Sequence, residues 1–249
     1  MPSPRLYLDA ALSTGQEIDL PEEAARHVQV LRLQPGDALT LFNGQGGEWA
    51  AQVLRMGGRQ QVAVQLGEHD PVSREAARPV TLALGMPANE RMDALVEKAT
   101  ELGVAAIQPL HCARSVLKLT GDRAERRQSH WQSVAIAAAQ QSGRTRVPRI
   151  EPVRHLAGWL EGLGTNSNGR RGVLSLGEDA SPLAAYSTAN DAEPWLLLSG
   201  PEGGLDGQEE AAARHAGFAP VSLGPRVLRA DTAPLAALAL LVAFATGPR

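Results

Sequence analysis

Cysteine is almost absent from this sequence. Cys112 is the only cysteine in 249 residues, so an internal disulfide framework and a zinc site built from several cysteines are both excluded. The six histidines offer no metal site either, because no two of them stand three or four residues apart, the spacing that places two ligands on one helix face. We therefore predict a protein that binds no metal and that works in a reducing compartment.

Long hydrophobic runs are also missing. The longest one spans residues 235–245 and has 11 residues, whereas a helix that crosses a bilayer needs about 20. Residues 1–20 alternate apolar and polar side chains and lack the unbroken apolar core of a signal peptide. We expect a cytoplasmic protein without a membrane anchor.

Three common catalytic motifs are absent as well. The sequence contains no G-x-x-x-x-G-K-[ST], no G-x-G-x-x-G and no G-x-S-x-G. The usual sequence grounds for an NTPase, a dinucleotide-dependent enzyme or an α/β-hydrolase are therefore missing.

Lysine is scarce too. Of the 24 basic residues only Lys98 and Lys118 are lysines; the others are arginines, whose planar fork suits bidentate phosphate contacts. The net charge of −3 argues against a purely electrostatic nucleic-acid binder, but residues 111–150 carry eight bases against two acids, a local balance of +6. A GC-rich coding bias would explain an excess of arginine but not its clustering, so we predict a local basic surface.

Two regions with different patterns divide the chain. Residues 1–70 contain short strands separated by glycine turns, with one helix beginning at Pro21, which predicts a small β-rich barrel. Residues 71–78 are polar and have no apolar periodicity, so we interpret them as a linker. In residues 79–249 short apolar runs alternate with helical patterns, which predicts an α/β domain with a parallel sheet covered on both faces. The strands expected there are Val80–Leu84, Ala106–Leu110, Gly172–Leu176, Trp195–Ser199 and Val221–Leu223.

Two glycine-containing loops follow strands of that sheet, where open parallel sheets bind their ligands. The first is Gly200–Gly204, and the second is Leu223–Leu228, with Arg229 and Asp231 beside it. Glycine lets backbone approach a ligand closely, although a plain strand-to-helix turn and a solvated Arg229–Asp231 salt bridge are the alternatives. The helix that follows, Ala233–Thr246, is apolar on every side and should be buried all round, in a core or a subunit interface.

These loops carry a resemblance to a known family. Gly-Pro-Glu-Gly-Gly at 200–204, followed by Leu-Gly-Pro-Arg-Val-Leu-Arg at 223–229, resembles the bacterial 16S ribosomal RNA uridine-N3 methyltransferases of the SPOUT class. The resemblance extends over nearly the whole chain, through Lys98–Val104, Arg114-Ser115, Gln141–Arg144 and Pro4–Tyr7. It implies an N-terminal PUA-like β-barrel and a C-terminal SPOUT α/β domain with a deep trefoil knot.

The same resemblance implies the cofactor, S-adenosyl-L-methionine, held between the two loops by backbone groups and apolar contacts. Methylation of N3 requires its proton to leave and the resulting negative charge to be stabilised. We expect Arg229, at the turn beside the methyl donor, to stabilise this charge, and Glu202, the acid nearest in sequence, to contact the cofactor or relay the proton. The cofactor-binding residues expected on this basis are Leu176, Leu198, Gly200, Pro201, Glu202, Gly203, Gly204, Leu223, Gly224, Val227 and Leu228.

The expected partners are 16S ribosomal RNA, in the assembled small subunit, and a second copy of the chain in a homodimer. Phosphate contacts from arginines would supply RNA affinity, and the barrel would recognise the shape of a folded RNA. The arginines expected to contact RNA are Arg5, Arg32, Arg114, Arg123, Arg126 and Arg144.

Two departures from the family pattern stand out. Gln140 replaces a glutamate that the family usually has, and Ala230-Asp231 replaces Thr-Glu, which shortens the carboxylate by one methylene and removes a hydroxyl. Two other readings stay open at this point: a SPOUT enzyme acting on another RNA or on a ribose 2′-hydroxyl, and a non-enzymatic RNA-binding module.

Overall fold

The computed structural model describes residues 3–58, 61–164, 169–186 and 192–243. The chain forms two compact units, and each unit consists of two separate segments of the sequence. Unit 1 comprises Met1–Glu75 together with Ala139–Val147, and unit 2 comprises Ala76–Ala138 and Pro148–Arg249. None of the helices in these described residues is long and apolar enough to span a bilayer.

Unit 1 is built on a five-stranded sheet with the order β1-β3-β4-β5-β2, in which β1 and β3 are parallel and the other pairs are antiparallel. Its elements are β1 (Arg5–Tyr7), β2 (Glu17–Asp19), α1 (Glu22–Val30), β3 (Ala38–Phe42), β4 (Glu48–Met56) and β5 (Val62–Asp70). The pattern of the strands explains the core: Trp49, Ala51 and Val53 are buried while the residues between them are exposed, as a period of two requires.

The segment Ala139–Val147 is held in unit 1 by hydrogen bonds to the first strand. The Arg5 guanidinium donates to the backbone carbonyl of Gln140 at 3.1 Å and to that of Arg144 at 3.1 Å. The Tyr7 backbone N–H donates to Gln140 Oε1, also at 3.1 Å. The side chain of Gln140 therefore serves here as a hydrogen-bond acceptor, a role that an amide oxygen fills without a charge.

Two ion-pair clusters complete this attachment. Arg5 and Arg74 share the carboxylate of Glu48, and the hydrogen bond from Arg74, together with Arg5, holds the pKa of that carboxyl below its usual value. Arg144, only 5% exposed, pairs with Glu75. The guanidinium groups of Arg5 and Arg144, which were expected to contact RNA, are engaged inside unit 1, so an RNA contact would have to compete with these pairs; the contact stays a prediction.

Unit 2 is a parallel eight-stranded sheet with the order β11-β13-β10-β12-β6-β7-β8, with β9 paired to β7. Its strands are β6 (Val80–Gly85), β7 (Ala106–His111), β8 (Arg149–Ile150), β9 (Arg154–His155), β10 (Arg170–Leu174), β11 (Ser181–Pro182), β12 (Trp195–Ser199) and β13 (Ala219–Ser222). Its helices are α2 (Asn89–Glu101), α3 (Gly121–Ser142, whose last four residues belong to unit 1), α4 (Leu156–Glu161), α5 (Gly207–His215) and α6 (Thr232–Ala243).

The predicted central strands of unit 2 agree closely with the structure. The bounds of β12 are confirmed residue for residue, and β6 and β7 each extend one residue further than predicted. The strand expected at Gly172–Leu176 lies two residues earlier, at Arg170–Leu174, so Leu176 belongs to the loop that follows. Strands of two residues, such as β8 and β11, were not predicted, because so short a segment shows no periodicity.

Helix α6 is not buried all round within one chain. Pro234, Ala237, Leu238 and Leu241 are buried on one face, whereas the remaining residues from 233 to 242 are partly exposed. Residues 244–246 of the predicted helix lie outside the described residues. A long apolar helix with one partly exposed face is typical of a subunit interface.

Candidate cofactor site

A cavity of about 710 Å³ lies in unit 2 at the carboxyl ends of three neighbouring strands, β13, β10 and β12. Each strand delivers a loop to it directly, and Leu174, Ser199 and Val221 line the cavity from the strand ends themselves. This is where open parallel sheets bind their ligands, because the carboxyl ends of adjacent strands open the crevice between their loops. The volume falls in the range of small-molecule sites, about 300–1,000 Å³.

The loop Gly200–Gly204 forms one side of the cavity. Gly204 has a φ of +70°, a left-handed conformation that favours glycine. At Gly200 a Cβ atom would lie 2.7 Å from the backbone nitrogen of Leu205, so the turn closes only with glycine at this position. Asp206 then caps α5 through a capping box with Glu209, which fixes the point where the loop ends.

The loop Leu223–Leu228 and Arg229 form the opposite side. Gly224 has a φ of +98°. Val227 is 80% exposed on this side and Leu176 is 65% exposed on the loop after β10. Large apolar side chains exposed at the rim of a cavity indicate that a ligand covers them.

Arg229 lies exposed at the cavity wall, and the structure shows no ion pair between it and Asp231 in the described part of the chain. One carboxylate oxygen of Asp231 is buried and has no hydrogen-bond partner among the described residues. The guanidinium of Arg229 is therefore available to a ligand, while its backbone carbonyl accepts from the N–H groups of Thr232 and Ala233 at the start of α6.

Comparison with known proteins identifies the family to which this fold and cavity belong. A family model described as "RNA methyltransferase domain" matches residues 74–242, and one described as "RNA methyltransferase PUA domain" matches residues 20–66. The chain belongs to the RNA methyltransferase family. The predicted fold class, a PUA-like barrel with a SPOUT α/β domain, is confirmed.

Individual relatives share the family name and most of the chain. A "Ribosomal RNA small subunit methyltransferase E" from Synechocystis is 35% identical over 87% of this chain and 69% of the relative, and one from Mycobacterium bovis is 32% identical over 93% and 88%. Among solved structures, the enzyme of that name from Neisseria gonorrhoeae bound to S-adenosyl methionine is 34% identical, with a TM-score of 0.86 and 95% coverage of both chains. A Legionella pneumophila protein in complex with the bound cofactor SAM is 32% identical, with a TM-score of 0.88 and 98% coverage of both chains.

In this methyltransferase, ten of the eleven residues expected to bind the cofactor line one cavity. Leu198 does not: it is fully buried in the core beneath the sheet, because alternate residues of β12 point to opposite sides. Sequence analysis missed other lining residues, most of which lie at strand ends or outside the two motifs, whereas Arg226 lies within the second motif and was not selected. These are Arg91, Leu174, Ser175, Ser199, Leu205, Glu210, Val221, Arg226, Ala230 and Ala233.

Glu202 has a structural partner that the sequence did not reveal. Its Oε1 accepts a hydrogen bond of 3.0 Å from the backbone N–H of Ala88 and lies 3.6 Å from a guanidinium nitrogen of Arg91. Ala88 precedes α2, and no side chain at the start of that helix caps it. Glu202 therefore supplies the missing acceptor at the positive end of α2. This geometry favours a role in holding the glycine loop against α2 over the predicted role as a proton relay.

Arg114, which was expected to contact RNA, contacts the glycine loop. Its guanidinium donates to the carbonyl oxygens of Gly203 at 2.8 Å and Leu205 at 3.4 Å. The neighbouring Ala113 N–H donates to Glu209 Oε1 at 2.7 Å. The loop after β7 is thus fastened to the glycine loop. Glycine at position 203 favours this packing, because a Cβ there would make a tight contact of 3.0 Å with Arg114 Cβ.

We expect Arg114→Ala to weaken binding of S-adenosylmethionine about tenfold, because the cationic donor that holds two carbonyls of the cofactor loop is lost. Titration calorimetry measures this affinity. Arg126→Ala is the matched control, since Arg126 is exposed on α3 and removes the same charge without touching the loop. Unchanged cofactor affinity in Arg114→Ala, with weaker RNA binding instead, would restore the role predicted from the sequence.

Besides Arg114, three other arginines expected to contact RNA are exposed. Arg32 lies in unit 1, just after α1, with a φ of +58°. Arg123 and Arg126 lie on the first turns of α3 in unit 2. Their contact with RNA stays a prediction.

Proposed function

We propose that this chain transfers a methyl group from S-adenosylmethionine to N3 of a specific uridine in 16S ribosomal RNA. The observation that carries the proposal is the cavity of about 710 Å³, formed by two glycine loops that follow β12 and β13, the two neighbours of β10, in a chain of the RNA methyltransferase family. The relatives named above are small-subunit ribosomal RNA methyltransferases, which supports 16S RNA as the substrate. Such a substrate is cytoplasmic, and we infer the same location for the enzyme.

The residues of the cavity fit this cofactor. Leucine and valine side chains from three loops offer an apolar surface for an adenine ring. Glycine positions at 200, 204 and 224 leave backbone groups accessible. Glu202 and Glu210 place two carboxylates in the lining beside the guanidinium groups of Arg91, Arg226 and Arg229, which suits a ligand that carries charges of both signs. When bound, the cofactor supplies an electrophilic methyl group on a sulfonium.

The chemistry at the uridine requires a charge to be stabilised. N3 carries a proton and has no free lone pair until that proton leaves, so an anion develops on the imide as the new N–CH₃ bond forms. Arg229, exposed at the cavity wall and free of Asp231, stabilises this anion. In this proposal the proton goes to solvent water. Glu202 is not assigned as the base, because its Oε1 accepts a hydrogen bond from the backbone N–H of Ala88. Orientation and electrostatics therefore carry most of the catalysis.

The proposed substrate is the folded ribosomal particle. A protein of net charge −3 with a local basic surface binds a free oligonucleotide weakly and with strong salt dependence. Specificity then comes from recognition of RNA shape. Besides Arg114, which holds the glycine loop, the exposed arginines of the predicted set are Arg32, Arg123 and Arg126, and these supply phosphate contacts.

We propose further that the active form is a homodimer, with α6 at the interface. The helix buries four residues on one face and leaves apolar residues such as Leu235 and Leu240 partly exposed. Sedimentation at micromolar concentration is expected to show a dimer, and Leu240→Glu is expected to dissociate it by placing a charge in an apolar contact. A fully active monomeric wild-type protein would contradict this.

The test of function is a nucleoside digest of ribosomal RNA from a strain that lacks the protein. Loss of 3-methyluridine, restored by the purified enzyme acting on small-subunit particles with S-adenosylmethionine, is the expected result. A 2′-O-methyl nucleoside as the product would instead support the ribose alternative, and absence of cofactor binding in calorimetry would support the non-enzymatic one.

A further inference from the structure

A second, smaller cavity of about 370 Å³ lies in unit 2 beside the start of α3. It is formed by the loop after β7, the first residues of α3 and the residue before α2. The lining residues are Ala88, Val116, Leu117, Lys118 and Arg123. None of them belongs to the lining of the cofactor cavity described above.

Both charged residues in the lining of this cavity are positive. Lys118 and Arg123 are exposed, and in the described part of the chain neither forms an ion pair. The contrast with Lys98, the other lysine, is clear, since that ammonium group contacts Glu97 at 2.7 Å and Glu101 at 2.8 Å. Two cations that lack carboxylate partners and converge on one cavity favour an anionic ligand.

The other lining residues are apolar. Val116 is 77% exposed, and it stands next to Leu117 in the lining. A ligand that covers an aliphatic side chain and also neutralises a lysine and an arginine must combine an apolar face with an anionic group. A nucleotide does so, with the face of its base and its phosphate.

Two hydrogen bonds connect this cavity to the cofactor loop. Ala88, a lining residue, donates its N–H to Glu202. Arg114, two residues before Val116, donates to the carbonyl of Gly203. The cavity therefore lies directly beside the glycine loop, and a nucleotide bound in it would be next to the position where the target base meets the methyl donor.

From these observations we propose that this second cavity is an RNA subsite, which holds a nucleotide adjacent to the target uridine with its phosphate on Lys118 and Arg123 and its base against Val116. The inference rests on the proposed function, because it specifies how the same RNA is held. It gives Arg123 a defined contact and adds Lys118 and Val116, which the sequence did not single out.

The test compares Lys118→Ala, Arg123→Ala and the double variant with Lys98→Ala, which removes the chain's other lysine from an exposed position outside both cavities. The probe is small-subunit particles from a strain that lacks the enzyme. Particle affinity is measured by filter binding at several salt concentrations, cofactor affinity by calorimetry, and 3-methyluridine by nucleoside digest. A Val116→Asp variant tests the apolar wall by placing a negative charge against the RNA.

Each of the two single variants is expected to weaken particle binding about tenfold and to reduce the slope of log K against log salt by about 0.7. The double variant is expected to reduce that slope by about 1.4. Val116→Asp should weaken binding as well, whereas Lys98→Ala should match the wild type and all variants should keep wild-type cofactor affinity.

Wild-type particle affinity and salt slope in Lys118→Ala and Arg123→Ala would overturn the subsite, even if the enzyme makes 3-methyluridine. If the wild type makes no 3-methyluridine, the proposed function fails, and the binding measurements still decide whether the cavity holds RNA. Equal losses in Lys98→Ala would also overturn the proposal, because they would show a general effect of net charge.

Discussion

Arg229→Ala is expected to lower kcat by about 10²- to 10³-fold at saturating RNA and cofactor, the usual cost of removing one group that stabilises a developing anion. Arg229 lines the cofactor cavity and has no ion pair with Asp231 in the described residues. Asp231 therefore does not neutralise the positive charge of Arg229, and that charge can stabilise the anion on the uracil base. Single-turnover methylation of small-subunit particles measures the effect.

The cofactor affinity of Arg229→Ala should stay within about twofold of wild type, since the arginine is assigned to the transition state and not to binding. Arg229→Lys should recover part of the lost rate because it keeps the charge but not the planar fork. A variant with unchanged kcat and weaker cofactor binding would show that Arg229 holds the cofactor instead.

Gly224→Val is expected to weaken binding of S-adenosylmethionine by at least about 100-fold. Gly224 has a φ of +98°, a conformation that costs a β-branched residue about 1–2 kcal/mol. No atom lies within 4 Å of the position a Cβ would take, so the added side chain has space to stand at the cavity wall. The variant therefore both strains the loop and fills part of the ligand's place.

Gly36→Val is the matched control for this variant. Gly36 has nearly the same φ, +96°, and equally open surroundings, but it belongs to unit 1 and is not among the residues that line the cavity. Both variants should lose similar thermal stability, and only Gly224→Val should lose cofactor binding. Wild-type affinity in Gly224→Val would show that the cofactor does not occupy this cavity.

The sequence by itself predicted what depends on local pattern. The β-rich beginning, the α/β remainder and strand β12 follow from periodicity and from apolar runs, which report how a segment is buried. The two glycine loops were found because a turn after a strand needs particular residues at particular positions. These signals lie within a few residues of one another, so they can be read without knowing the fold.

Tertiary structure alone decided the roles of the arginines. Arg144 pairs with Glu75, 69 residues away, and Arg114 holds the carbonyl of Gly203, 89 residues away. A guanidinium suits a phosphate, a carboxylate and a backbone carbonyl equally well. Which of these it meets depends on packing between distant segments, and composition carries no information about that. For the same reason the division of the chain into units, with Ala139–Val147 joining the first, could not be predicted from a linker pattern.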